Sequence, residues 1–450
     1  MPRPFFLDSS MASPRLGRFS ALGAEPFAAI SSKGACIEIT EDGRTRRFSG
    51  NPFSALREML QRHSRAACAD GRWPFCGGAV GYLSYDLKQF IEKLPHTAID
   101  DLALPDMSFG FYDAIICVDR LTGAAEVAVC DSGSPATKAR AARLERCIAS
   151  SVKPAERPAP AAAGAPAGNF TREAYIAAVQ RCKDYIAAGD IFQVNLSQRF
   201  DVQTSIAPEA LYRRLRAINP APFACYLHLG DFAVLSSSPE RFLKVGRLQP
   251  EGPWHVETRP IKGTRPRRAG DDVFNARMRR ELLESDKDNA ELTMIVDLER
   301  NDLGRVCSYG SVRVTEKMVL EEYPTVYHLV ATVEGDLHPN RDLVDLLKAA
   351  FPGGSITGAP KIRAMEIIDE LEPTCRSIYT GAIGYIGFDG SADLNIAIRT
   401  ILLKAGHAYF QAGGGIVADS DPAAEYEETL AKARALFDAL GCTQPPVQSV

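Results

Sequence analysis

Two pairs of acids and one lysine are the residues whose spacing suggests chemistry. Asp288 and Glu291, in KDNAE, lie three apart within a helical pattern, so their side chains share a face. Glu425 and Glu428, in AEYEE, have the same spacing in the opening turns of the last helical segment. Four carboxylates suit a hard cation such as Mg²⁺, which takes one or two acids and completes its shell with water and substrate oxygens. Acids near helix starts also complement the helix dipole, and spacing alone leaves both readings open. Lys262, in TRPIKGTRPRR, sits between isoleucine and Gly-Thr at an expected strand end, whereas the arginines around it read as solvated or paired. A partly desolvated lysine loses proton affinity and becomes an amine nucleophile. The other reading is an ammonium that neutralises a substrate carboxylate.

Arg399 closes the apolar run LNIAIRT, where a guanidinium is costly to bury unless it meets an anion. His328 in VYHLVATV and Tyr379 in IYTGAIGY read by default as core residues with satisfied polar atoms. Two glycine loops could present backbone amides to an oxyanion. FPGGSITGAPK, with Ser355, Thr357 and Lys361, leads into a helix beginning near Pro360. QAGGGIV, with Gly414 and Gly415, follows a strand pattern and precedes the Glu425 helix. The first lacks the Walker A spacing, and neither loop fits a dinucleotide fingerprint; for the second, a tight turn packed closely is an equal reading.

The elements that must place these residues mix without a βαβ rhythm. Period-two runs such as ACIEITEDG, GGAVGYLSYD and MSFGFYDAIICVDR predict strands in the first 130 residues, interrupted by a helix at 52–62. A helix over 136–151 leads to the Pro/Ala/Gly-rich stretch 153–168, which reads as a linker. Thr171 caps a helix that Gly189 stops, strand runs follow to Ile261, and helical patterns lie at 272–284, 287–297, 342–350 and 360–371. The last helix has Asp421 as N-cap and Pro422 at its first position, and runs to about 440. The expected organisation is 1–130 as a β-rich segment, 131–168 as helix plus linker, and 169–450 as the catalytic region. The fold class is α+β with large antiparallel sheets.

The chain has 450 residues, 52 Lys and Arg against 56 Asp and Glu, and a net charge of −4. That balance disfavours a general phosphate-backbone binder, so no nucleic acid partner is expected. No apolar stretch reaches the length of a signal peptide or a membrane span, which points to a cytoplasmic protein with no membrane partner. The 11 cysteines contain no C-x-x-C and are scattered among apolar neighbours, as reduced, buried thiols would be.

RPIKGTRPR, DLERNDLGRV, FPGGSITGAPK, YTGAIGYIGFDG and GGGIVADSDPAAEYEET occur in order. Together they resemble the chorismate-binding enzyme family, which includes component I of anthranilate synthase and of aminodeoxychorismate synthase, and the isochorismate and salicylate synthases. RFSALGAEPFAAI and GGAVGYLSYD extend the resemblance to the N-terminal segment of the first two. It implies two packed antiparallel β-sheets surrounded by helices, as in anthranilate synthase component I, with the active site in a cleft between them. It also implies Mg²⁺ as cofactor on the ring carboxylate of chorismate, held by Glu291 and Glu428 with Asp288 and Glu425 in support. Tyr379, Arg399, Gly414 and Gly415 would hold the enolpyruvyl carboxylate, with Ser355, Thr357 and Lys361 in the matching loop. His328 would assist departure of the 4-hydroxyl. Leu292 follows Glu291 where relatives usually carry a polar residue, so the surroundings of the metal differ here.

Two positions then discriminate within the family. Residue 193 is Gln, where enzymes that add water at C2 carry a lysine base; an amide cannot serve as that base. Residue 262 is Lys, where anthranilate synthases typically have Ala and aminodeoxychorismate synthases of the PIKGT type use the lysine as nucleophile. With Glu240 of SSPERF as the acid, the resemblance implies conversion of chorismate and ammonia to 4-amino-4-deoxychorismate, for p-aminobenzoate and folate. No G-x-C-x-G glutaminase context occurs, so the expected partner is a separate glutamine amidotransferase subunit. Anthranilate formation is the nearest alternative. A non-catalytic chorismate or tryptophan sensor is the alternative of another class.

Overall fold

The period-two runs of the N-terminal segment do form strands, but they are shared out between two sheets rather than forming one of their own. The computed structural model describes residues 1–11, 15–65, 72–130, 133–150, 164–249, 251–324 and 326–442. In one sheet the strands run in the order Ala167–Gly168, Gln193–Gln203, His407–Ile416, Thr400–Lys404, Phe232–Ser238, Phe223–His228, Phe5–Asp8, Phe19–Gly23, Ala114–Asp119 and Ala125–Val129. In the other the order is Ile261–Pro266, Val326–Asp336, Trp254–Arg259, Arg241–Arg247, Ala392–Ile396, Ala382–Gly387, Gly78–Leu83, Met107–Tyr112, Ala28–Lys33, Cys36–Glu41 and Arg44–Ser49. Every ladder is antiparallel, and N-terminal strands pair directly with C-terminal ones: Phe5–Asp8 on Phe223–His228, and Gly78–Leu83 on Ala382–Gly387. This is the α+β, two-sheet architecture the resemblance implied.

The chain repeatedly switches sheet within a few residues, and the switch points matter for the site. Phe232–Ser238 lies in the first sheet and Arg241–Arg247 in the second, so Pro239 and Glu240 are the crossover. Ala392–Ile396 and Thr400–Lys404 cross back through Ala397–Arg399, with Arg399 at φ 50°. A residue at such a corner leaves both ladders, and its side chain becomes available to the space between sheets. The Ile396 amide donates to the Glu240 carbonyl at 3.0 Å and ties the two corners together.

Helices pack around the sheets where caps and apolar faces predicted. Thr171 Oγ1 accepts from the Ala174 amide at 3.1 Å and opens Arg172–Ala187. Asp421 Oδ1 accepts from Ala424 at 2.8 Å and opens Pro422–Leu440. The acidic helix begins at Asp286, capped by Ser285, and continues to Gly304, well past the 297 expected. Its extra turns bury Glu299, Asp302 and Leu303.

Three readings of the sequence need correction. Lys262 does not end a strand. Pro260 breaks the expected run, and Lys262 is the second residue of a new strand, Ile261–Pro266, whose register shifts between Lys262 and Thr264. Gly263 supplies φ 75° at that bulge, which re-aims the side chains on either side. The cysteines are not all free thiols, because Cys76 is disulfide-bonded. Most of the expected linker, its residues 153–163, lies outside the described residues, while Ala167–Gly168 adds a short edge strand to Phe200 and Asp201. Among the described residues no helix is long and apolar enough to cross a membrane.

Candidate active site

Glu291 and the pair Glu425 and Glu428, distant in sequence, come together beside the glycine strand. Glu291 projects from Asp286–Gly304, and its Oε2 stands 3.8 Å from the Lys262 ammonium and 3.4 Å from Gln193 Nε2. Lys287 Nζ lies 4.0 Å from both Glu291 Oε1 and Glu425 Oε1, linking the two helices. Glu428 accepts from Lys432 at 2.6 Å, and the same lysine donates to the Gly413 carbonyl at 3.1 Å.

The glycines allow this approach from both faces of one strand. A Cβ on Gly414 would lie 2.8 Å from Glu425 Oε2 and 3.8 Å from Glu428 Oε1. A Cβ on Gly415 would lie 2.1 Å from Gln193 Nε2 and 3.4 Å from Lys262 Nζ. A side chain at Gly414 would press on the acids, and one at Gly415 on Gln193 and the amine. Lys262 belongs to the second sheet and Gly415 to the first, so this contact bridges the two.

Electrostatics follow from burial. Burial lowers the proton affinity of Lys262, opposed chiefly by Glu291 and more weakly by Glu240 and Glu428. The same desolvation holds Glu240 up to about 7, although a hydrogen bond from Ser355, the Lys262 charge and the Ile261 amide pull it back. His328 is pushed down to about 3 by burial, with the Arg399 charge adding to it, so its ring is neutral. Its Nδ1 is 3.0 Å from Thr264 Oγ1, and its ring lies edge-on to Tyr323 with centroids 4.8 Å apart.

Arg399 is partly buried, and among the described residues no carboxylate pairs with it, while its side chain donates to Asn219 Oδ1 at 3.3 Å. A guanidinium withdrawn from solvent in that state has unused donors for an anion. Tyr379 is buried over Arg376 at 5.8 Å. Thr357 spends its hydroxyl on the Gly353 carbonyl at 3.0 Å, shaping the loop that carries Ser355.

Two expected residues are engaged elsewhere. Asp288 accepts from Arg265 at 2.9 Å, and Lys361 is taken up by Asp302 at 2.6 Å and the Ala350 carbonyl at 2.9 Å. Both sit beside the site without joining the contacts among Lys262, Glu291, Glu425 and Glu428.

Among the described residues no three His, Cys, Asp or Glu side chains form a ready metal cage. The donor set nevertheless fits a hard cation. Glu425 Oε2 is buried with no hydrogen-bond partner, next to the space above Gly414 that a Cβ would occupy. Glu425 Oε1 is held by Ser420 at 2.6 Å, and burial raises the proton affinity of the group, which a cation would reverse. Glu428, in contrast, is kept ionised mainly by Lys432.

Sequence reasoning missed Lys287, Lys432 and Ser420, because lysines on helices and a serine in a connection look solvated. It also missed Arg376, whose guanidinium holds Glu372 at 2.7 Å, the Asn195 carbonyl at 2.7 Å and the Ile356 carbonyl at 2.9 Å. The signal for Arg376 was an arginine beside the run SIYTGAIGYIG, four residues after an acid.

Comparison with known proteins bears on the family and the fold. Residues 14–438 match the profile of the chorismate binding enzymes. Aminodeoxychorismate synthase component 1 of Bacillus subtilis (strain 168) is 40% identical over 438 residues, covering 96% of this chain and 91% of that one. Anthranilate synthase component 1 of Thermus thermophilus is 41% identical over 447 residues, covering 97% and 92%. The crystal structure of anthranilate synthase component I from Streptococcus pneumoniae TIGR4 superposes with a TM-score of 0.81 at 32% identity, covering 95% of this chain and 93% of that one.

Proposed function

Because this chain belongs to the chorismate-binding enzyme family, a family of chorismate-utilising enzymes, we propose that it is component I of an aminodeoxychorismate synthase. Relatives of both aminating kinds match at similar identity, so overall likeness does not choose between them. The observation that carries the choice is Lys262, whose side chain is only 12% exposed, with its ammonium 3.8 Å from Glu291 and beside Gly415. A lysine there, with its proton affinity lowered by burial, is a nucleophile placed where the substrate ring is anchored.

In this reading Lys262 Nζ forms a bond to ring C2 as the C4–O bond breaks, the two ring double bonds moving from C1–C2 to C1–C6 and from C5–C6 to C4–C5. Glu240, protonated near neutrality, gives its proton to the departing hydroxyl, which leaves as water. Ammonia then forms a bond to C4 as the C2–N bond to lysine breaks, and the spare proton returns to Glu240. The sum is chorismate plus ammonia to 4-amino-4-deoxychorismate plus water. His328, held neutral by burial, is a weaker candidate for the acid than Glu240. It is better suited to orienting the hydroxyl with its ring N–H.

Glu291, Glu425 and Glu428 would hold Mg²⁺, which when bound neutralises the ring carboxylate. Arg399 and the amides around Gly414 and Gly415 suit the enolpyruvyl carboxylate. A partner glutaminase subunit would supply ammonia from glutamine, in line with the component 1 names of the relatives. Incubating the protein with chorismate, Mg²⁺ and ammonium tests the reading. A product that a lyase converts to p-aminobenzoate is expected, and anthranilate appearing without a lyase would overturn it.

A further inference from the structure

Arg376 lies between the helix Lys361–Leu371 and the strand Ala382–Gly387, out of contact with solvent. Its guanidinium donates in every direction. Nε and Nη2 reach the Glu372 carboxylate at 2.9 and 2.7 Å, and Nη2 also reaches the Asn195 carbonyl at 2.7 Å. Nη1 donates to the Ile356 carbonyl at 2.9 Å and to Thr380 Oγ1 at 3.3 Å. Glu372 is itself pinned by the Ser197 amide and hydroxyl, and the Tyr85 ring lies 4.8 Å from the guanidinium carbon.

Beyond Glu372, the groups it joins come from different parts of the chain, and each is close in sequence to a residue of the site. Ile356 follows Ser355, whose hydroxyl bonds to the Glu240 carboxyl. Thr380 follows Tyr379, and Asn195 lies two residues after Gln193, whose Nε2 faces Glu291. Among the described residues, the turn Pro352–Ile356 is hydrogen-bonded to other elements at two points, Ser355 to Glu240 and Ile356 to Arg376. A planar fork that grips two carbonyls from different elements fixes the distance between them, which a single ammonium cannot do.

We propose that Arg376 is a positioning residue for proton transfer: its fork fixes the Ile356 and Asn195 carbonyls together and so holds Ser355 on the acid Glu240. The inference rests on the acid role given to Glu240 above and adds what keeps that acid in place. Ser355 stabilises the ionised form of Glu240, so a loosened turn raises the proton affinity of the acid and misaligns it at once. The other charged or titratable groups that face Glu240 are Lys262, Lys432, Glu299 and Tyr323, and none of them is bonded to Arg376. Arg376→Lys keeps the positive charge, so a shift that it causes passes through the turn.

The test follows kcat/KM for chorismate against pH in the intact chain, as wild type, Arg376→Lys, Ser355→Ala and the double variant. Each single variant is expected to lose about tenfold or more and to move the alkaline limb up by about one pH unit. The double variant is expected to lose no more than the more damaged single one, because both changes break the same contact. A limb left in its wild-type position by Arg376→Lys, or losses that multiply in the double variant, would overturn the proposal whatever the cost in stability. If the lysine variant does not fold, Glu372→Gln, which keeps the guanidinium and weakens its anchor, is read in the same way. A wild-type profile with no limb near 7 refutes Glu240 as the acid, and the double variant alone then judges whether Arg376 acts through Ser355. No turnover of chorismate at all refutes both.

Discussion

Lys262 Nζ stands 3.8 Å from Glu291 Oε2, although the two residues reach that point from different elements by different devices. Lys262 is aimed by the bulge at Gly263, and Glu291 by its place on a helix capped at Ser285. A Cβ on Gly263 would meet Asp288 Cγ at 2.9 Å, so the bulge is also where the lysine strand packs against the acidic helix. The amine is thus set beside the carboxylates by backbone geometry, before any substrate is present.

That arrangement makes the glycine strand sensitive to one methyl group. Gly415→Ala places carbon 2.1 Å from Gln193 Nε2 and must displace that amide. Displacement by about 1 Å at a reacting centre can cost on the order of 100-fold in rate. The expected outcome is loss of chorismate turnover of that order with an unchanged circular dichroism spectrum. Full activity in the alanine variant would show that the space above Gly415 is not used.

Glu240 sets a pH limit. Its folded-state proton affinity is raised to about 7 from an ordinary 4.5 by burial. As an acid it works only while protonated, so kcat/KM should fall as pH rises through about 7. Glu240→Gln should lose that limb and about 100- to 1,000-fold in rate. The sign for stability runs the same way. A group whose folded pKa is raised contributes stability fully present below 4.5 and lost as pH rises through about 7. Glu240→Gln should therefore gain stability relative to wild type above that pH, on the order of 3 kcal/mol at most. Urea unfolding at pH 6 and pH 8 measures this.

Arg376 gives a stability prediction. It is 3% exposed, bonded to Glu372 through two nitrogens, and Glu372 also accepts from the Ser197 amide and hydroxyl at 2.8 Å each. Arg376→Ala leaves a buried carboxylate without its counter-ion, at a cost of about 3–5 kcal/mol. Arg376→Lys keeps the charge but not the fork, and should recover part of that in thermal unfolding. An alanine variant as stable as wild type would show that the cluster is replaceable.

What the sequence revealed and what it hid divide along one physical line. Local signals were readable: the caps Thr171 and Asp421, and the spacing of Glu425 and Glu428. Pairing partners were not, because a period-two run such as Gly78–Leu83 states that it is a strand without stating which sheet it joins. Lys262, Arg399 and Glu240 stood out by motif context, yet their placement depends on sheet switches at 239–240 and 397–399. Lys287 and Lys432 were illegible, since nothing local distinguishes a lysine that spans two helices or caps a carbonyl from one in solvent.

The carboxylates supply a metal prediction. Chelation with EDTA should abolish chorismate turnover, and Mg²⁺ should restore it. Glu428→Gln removes the charge that Lys432 holds ionised and should raise the Mg²⁺ concentration for half-maximal activity by about tenfold or more. Undiminished activity in EDTA would exclude the cation role of Glu291, Glu425 and Glu428.

The decisive variant is Lys262→Ala. If Lys262 only neutralised a substrate carboxylate, its loss would weaken chorismate binding and leave the product unchanged. If it forms the bond at C2, its loss removes the step that reserves C4 for ammonia. The expected result is a fall of about 100-fold or more in 4-amino-4-deoxychorismate formation, with chorismate still bound through Arg399 and the carboxylate site. Any residual amination should then place nitrogen at C2, read as fluorescent anthranilate. Electrospray mass spectrometry of wild-type protein quenched during turnover should show a lysine adduct that the alanine variant lacks. Unaltered turnover to the same para product in Lys262→Ala would remove the covalent mechanism, whatever the geometry beside Glu291.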